Sequence, residues 1–149
     1  MASVDDIAAY ILCKQGPMTA MKLQKLVYYC QAWSLVWDER PLFRASIEAW
    51  ANGPVVPALY RKHKGMFKVE EWPSGSPDRL TAQQRETIDA VLDFYGSKPS
   101  HWLSALTHQE APWRDARHGL LPGERGHEEI THAAMAEYYG GLYGQAGQA

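Results

Sequence analysis

Thr19–Asp38, TAMKLQKLVYYCQAWSLVWD, is the stretch that decides the fold. At about 100° per residue, Leu23, Leu26, Cys30, Trp33 and Trp37 fall on one side of a helix. Met21, Tyr28, Tyr29, Ala32, Leu35 and Val36 widen that side, leaving Gln24, Gln31, Ser34 and Asp38 a narrow polar stripe. A helix apolar around most of its circumference is buried by several neighbours. The spacing therefore predicts a central helix over roughly 20–38, with Thr19 as its N-cap. Lys22 and Lys25 are out of place, pointing into the apolar arc near the positive end of the helix dipole. Either their stems lie on apolar surface while the ammonium groups reach water, or one is held by a carboxylate or awaits a partner.

Outward from this helix, the chain reads as shorter helices. Ser3 and Asp6 have capping-box spacing ahead of a stripe of Val4, Ile7, Ala8, Ile11 and Leu12. Gly16-Pro17 stops that helix, and the short link to Thr19 makes the first two helices neighbours. After Pro41, residues 42–56 lose helical spacing and read as a strand-like insertion through Ile47, Ala49 and Trp50, turning at Ala51-Asn52-Gly53-Pro54. A short helix, Pro57–Lys64, turns Leu59 and Tyr60 to the core and ends at Gly65. Met66–Trp72 reads as a second short strand and Pro73–Pro77 as a loop. Thr81 and Gln84 form another capping box for a helix Ala82–Tyr95, with Ile88, Val91, Leu92 and Tyr95 inward. Pro99 starts the next helix, with Trp102, Leu103 and Leu106 inward, and Ala111-Pro112 breaks it. Trp113–Arg117 continues as a turn of helix, and His118–Gly126 is a loop. Thr131 caps a last helix carrying Ala134, Met135, Tyr138 and Tyr139, and Gly140, Gly141 and Gly144 release a frayed tail. The expected fold is mainly α, about six helices around a buried central one. One domain spans 1–141, and 142–149 forms a flexible tail.

Composition excludes several function classes. The chain has 149 residues, 46% hydrophobic, with a net charge of −2 that gives no general drive toward nucleic acid or anionic membrane. Cys13 and Cys30 both sit at apolar helical positions, which fits reduced thiols in a cytoplasmic protein. No apolar run is long enough to span a membrane, and the first residues lack the basic region of a signal peptide. His127 and His132 lie five apart, about 140° from each other on a helix, so they do not form the four-apart zinc pair. Neither cysteine has the electropositive, exposed setting of a catalytic thiolate. No glycine loop has phosphate-cradling partners. Arg61-Lys62-His63-Lys64 is the only basic cluster and reads as a solvated helix end. Glu48 shares a strand face with Trp50 and is placed to balance Lys25 or Lys22, or else to face water.

Leu23-Gln24-Lys25-Leu26-Val27-Tyr28-Tyr29, Glu48-Ala49-Trp50, Gly53-Pro54-Val55, Leu59-Tyr60, Thr107-His108 and Pro112-Trp113 form an ordered, spaced set. That set resembles the Panacea domain, a phage-associated family that includes SocA-type antitoxins. The resemblance runs from the first helix to about Trp113. It implies an antitoxin that binds and neutralises a toxin usually encoded beside it, with no enzymatic activity and no cofactor. Most members are expected to block the toxin by direct complex formation, whereas SocA-type members deliver theirs to the ClpXP protease. Little is expected beyond the domain: no DNA-binding module before it, a short helix and tail after it. Carried onto this chain, the family residues are Lys25, Tyr28, Tyr29, Glu48, Trp50, Thr107 and His108, with Gly53, Pro54, Val55 and Trp113 as structural motif. Leu26, Tyr29, Trp50 and Trp113 also read as core, and Thr107 and His108 as a helix end satisfying free carbonyls.

Six tryptophans and eight tyrosines exceed what a core of this size buries easily. Aromatic residues are enriched at binding hot spots, and Trp37, Trp72 and Tyr60 flank turns and loops where such rings reach the surface, which adds Tyr60 and Trp72 to the partner-binding candidates. The expected docking face combines the central helix with the segment after Trp50. A DNA-associated transcriptional regulator using Arg61–Lys64 is the second reading, and a hydrolase using His108 or His127 the third.

Overall fold

A computed structural model describes residues 1–148. Its helices are α1 (Val4–Gln15), α2 (Ala20–Trp37), α3 (Pro57–His63), α4 (Ala82–Tyr95), α5 (Ser100–Gln109), α6 (Ala111–Ala116) and α7 (His132–Gln148). Four short strands accompany them: β1 (Met18–Thr19), β2 (Glu48–Trp50), β3 (Gly53–Val55) and β4 (Lys68–Val69). The fold is mainly α, as its periodicities predict. α2 is the axis, packed by α1, α4, α5 and α7. Leu23, Leu26, Val27, Tyr29, Cys30 and Ala32 on it have no exposed surface.

The caps hold where the side chains predict them. Thr19 accepts from Lys22 N–H at 3.1 Å, and Thr131 from Ala134 N–H at 3.1 Å. The Thr81–Gln84 box closes in both directions. At α1 it does not. Ser3 accepts from Asp5 N–H, while Asp6 turns away to accept from Ser76 N–H at 2.7 Å.

The polar stripe of α2 does not face water. Gln24 and Gln31 are fully buried and act as backbone clamps. Gln31 Oε1 accepts from Leu42 and Phe43 N–H, and its Nε2 donates to Phe43 O. Two turns earlier, Gln24 Oε1 accepts from Val56 N–H, and Nε2 donates to Val56 O. The two amides thus satisfy irregular backbone at both ends of the 42–56 insertion, where buried N–H and C=O groups need partners.

Between the clamps, β2 and β3 form an antiparallel hairpin pairing Glu48 with Val55 and Trp50 with Gly53. Residues 128–130 line its other edge: Ala49 N–H donates to Glu128 O and Ile130 N–H to Ile47 O, both at 2.8 Å. β4 pairs with β1, a strand that sequence reading missed. Three further expectations fail. Trp102 and Cys13 are exposed rather than inward, and α7 runs through Gly140, Gly141 and Gly144 without a break at 142. Residue 149 lies outside the described residues.

Candidate protein-binding face

Most of the motif residues converge beneath the β2–β3 hairpin. Lys25 has no exposed surface, and its ammonium donates only to Pro54 O, at 3.3 Å, among the described residues. Burial lowers its pKa to about 7. It neither reaches water nor meets Glu48. Glu48 instead accepts from Trp50 Nε1 at 2.8 Å and lies 3.7 Å from His127 Nδ1, because it sits on the outer face of the hairpin. Lys22 stays partly exposed, as a snorkelling lysine does.

Gly53 has φ +123°, and a Cβ there would stand 2.5 Å from Lys25 Cε and 3.2 Å from Thr107 Oγ1. Only glycine lets the turn settle on the lysine stem. Thr107 donates to Ser104 O, satisfying a carbonyl near the end of its own helix. His108 stacks flat on Trp113, with ring centroids 4.0 Å apart, and its Nε2 is buried without a hydrogen-bond partner among the described residues. Burial lowers the His108 pKa, and the charges of Lys25 and Arg117 push it the same way. Trp113 Nε1 donates to Trp50 O at 2.8 Å, and Arg117 lies over the Trp113 ring while donating to Ala49 O. Arg117, read only as the end of a helical turn, is a buried brace of the hairpin.

Tyr28 and Tyr29, one turn on from Lys25 along the same side of α2, enter a second buried network. Tyr29 and Tyr139 hydroxyls both donate to Glu110 Oε1, at 2.7 and 2.8 Å. With the Tyr139 proton committed there, Tyr28 donates to Tyr139 at 3.0 Å. Burial raises the Glu110 pKa, and the two tyrosine bonds offset part of that rise. Sequence reading missed Glu110. The available signal was indirect: tyrosines in an apolar stripe require a buried acceptor.

Trp50 and Tyr60 surface beside the hairpin. With Met21, His63, Arg125 and His127 they line a cleft of about 380 Å³. Trp50 meets Tyr60 edge-on at 4.9 Å, and the contact continues through His63 to Trp72. Trp72 is tied down by donating Nε1 to Asp5 at 2.9 Å. The basic cluster is dispersed. His63 is buried and accepts from Gln24 Nε2, whose orientation Val56 fixes, and Lys62 donates to Asp5 and Ser74. Of the nine partner-binding candidates, Lys25, Tyr28, Tyr29 and Thr107 are buried, whereas Glu48, Trp50, Tyr60, Trp72 and His108 are partly exposed.

The profile described as "Antitoxin SocA-like, Panacea domain" matches residues 23–114, more than half of the chain. The chain belongs to the SocA-like Panacea family. A stretch of 45 residues is 44% identical to "Antitoxin SocA" of Caulobacter vibrioides (strain NA1000 / CB15N), covering 30% of this chain. The match spans about a quarter (24%) of that relative's length. No solved structure matches. The Panacea match encloses the whole hairpin, its lysine floor and the His108–Trp113 stack. It leaves out residues 128–130 and α7, which complete both buried networks. No helix among the described residues is long and apolar enough to cross a membrane.

Proposed function

We propose that this chain is a non-catalytic antitoxin that neutralises a cognate toxin by direct protein–protein binding. The family match over residues 23–114 carries the reading. The cleft beside the hairpin supports it: Trp50 and Tyr60 present half-buried aromatic faces on a braced, preformed edge, the arrangement that gives binding hot spots at low ordering cost. Lys25, Tyr28, Tyr29 and Thr107 act on the toxin only through the shape they hold, since none reaches the surface. The dispersed basic cluster supplies no phosphate-binding stripe of the kind a DNA-bound regulator uses.

Co-expression with the product of the adjacent gene tests the proposal. Wild-type chain rescues growth and co-purifies with the toxin in cells lacking ClpXP. The Trp50→Ala, Tyr60→Ala double variant keeps its helical circular dichroism and weakens the complex by about 2 kcal/mol or more. Rescue that requires an active protease favours delivery over blocking. Rescue and co-purification by the folded double variant at wild-type levels remove this face from the interface.

A further inference from the structure

A second concave surface lies at the other end of α2. Trp33 and Trp37 stack with centroids 5.0 Å apart, and α4 contributes Phe94 while α7 contributes Tyr143. Together with Tyr95 and Glu110 these residues line a groove of about 520 Å³. Phe94 is 60% exposed, Tyr143 56% and Trp37 38%, so three rings stand open to solvent. Glu110, by contrast, is 5% exposed.

The floor of this groove is chemically unbalanced. Glu110 has no cation within salt-bridge distance among the described residues. Both tyrosine hydroxyls use Oε1, and no hydrogen bond among the described residues reaches Oε2. Among the described residues, no lysine or arginine lines the groove. A purely apolar occupant would strip water from a carboxylate that lacks a counter-charge, which is costly. A cation would supply that counter-charge and would also meet the negative faces of the rings. Burial already raises the Glu110 pKa, which agrees with a carboxylate that lacks its cation.

We infer that this groove is a second docking point for the toxin and receives a cationic side chain, arginine or lysine, against its aromatic walls and the Glu110 carboxylate. The inference rests on the toxin-binding reading above and adds the chemistry of one contact. It places that contact at the opposite end of α2 from the Trp50–Tyr60 cleft, with walls from α4 and α7.

The test uses the full chain and two probes, Nα-acetyl-arginine amide and its uncharged isostere Nα-acetyl-citrulline amide. The indole N–H resonances of Trp33 and Trp37 shift with the arginine probe and not with the citrulline probe. Glu110→Gln keeps the Oε1 acceptor for both tyrosines, so it stays folded, and it abolishes the shifts. The same variant, and Trp37→Ala at the surface, bind the toxin about tenfold or more weakly. Equal response to both probes, no response, or wild-type toxin affinity in Glu110→Gln overturns the inference. So does a dimer that Trp37→Ala dissociates without loss of toxin affinity, which makes the groove a contact between copies. A wild-type chain that binds no toxin at all, while still shifting selectively with the arginine probe, sinks the toxin-binding reading and leaves the cation chemistry of the groove standing.

Discussion

Lys25 is the residue whose placement departs furthest from ordinary side-chain chemistry. It is fully buried, donates to one backbone carbonyl and, among the described residues, has no carboxylate within salt-bridge distance. Burial takes its pKa from 10.5 to about 7. Between those values the unfolded chain holds a proton that the folded chain lacks, so stability rises with pH across that window. Below about 7 both states are protonated and the cost of burying the charge is present in full. Lys25→Met keeps the stem and removes the titration. It gives up one hydrogen bond to Pro54, worth about 1 kcal/mol. The variant is expected to be more stable than wild type at pH 6 by about 2 kcal/mol or more. That advantage shrinks as pH approaches 10. Urea denaturation at pH 6, 8 and 10 measures it. A wild-type chain with the same pH slope as the methionine variant would show that Lys25 is not the titrating group. Sequence alone marked Lys25 as anomalous and offered three readings of its ammonium: reaching water, held by a carboxylate such as Glu48, or awaiting a partner. The structure excludes water and Glu48. The strand alternation that puts Glu48 and Trp50 on one face says nothing about whether that face turns toward α2 or away from it.

Among the elements, the long helices were legible because two independent signals agree for them. The 3.6-residue spacing of apolar side chains set their faces, and Thr19, Thr81 with Gln84, and Thr131 set their starts. The two-residue strands were less so. β1 and β4 exist because two chain segments approach, and a pair that short carries no periodicity of its own. The glutamine stripe shows a different limit. Spacing tells which residues share a face but not whether a polar face meets water or backbone. Gln31 meets backbone, satisfying Leu42 and Phe43 N–H and Phe43 O. Gln31→Leu is nearly isosteric and more apolar, yet it strands those groups in the interior. Each unsatisfied group costs about 1–3 kcal/mol, so the variant is expected to lose about 3 kcal/mol. Amide exchange at Leu42 and Phe43 should accelerate more than at the centre of α4. Unchanged protection there would mean that the insertion is held by its apolar contacts and not by the clamp.

At the scale of the whole molecule, the family boundary and the folding unit do not coincide. The Panacea match stops at residue 114, yet the chain beyond that residue closes the structure on two sides. Residues 128–130 hydrogen-bond to the outer edge of the hairpin through Ala49 and Ile47. Met135 and Tyr139 on α7 are fully buried against α2, and the Tyr139 hydroxyl completes the Glu110 network. Without α7, Tyr28 and Tyr29 would face solvent and Glu110 would lose one of its two donors. Removing the two large buried side chains of α7, Met135 and Tyr139, each worth about 2–5 kcal/mol, takes away most of the stability of a typical domain, about 5–15 kcal/mol. A chain ending at residue 131 is therefore expected to lose cooperative unfolding rather than shed a tail. A chain ending at residue 144 keeps Met135, Tyr139 and the groove walls, and should unfold in a single transition. Thermal melts followed by near-ultraviolet circular dichroism separate the two, because the tyrosine cluster supplies a signal only when its rings are packed. A sharp transition in the 131-residue chain, at the wild-type midpoint, would show that α7 docks onto a domain already folded without it. Toxin binding in the two chains then bears on the proposed groove. It should survive in the longer chain, and a 131-residue chain that is unfolded but still binds would mean that the partner supplies the missing wall.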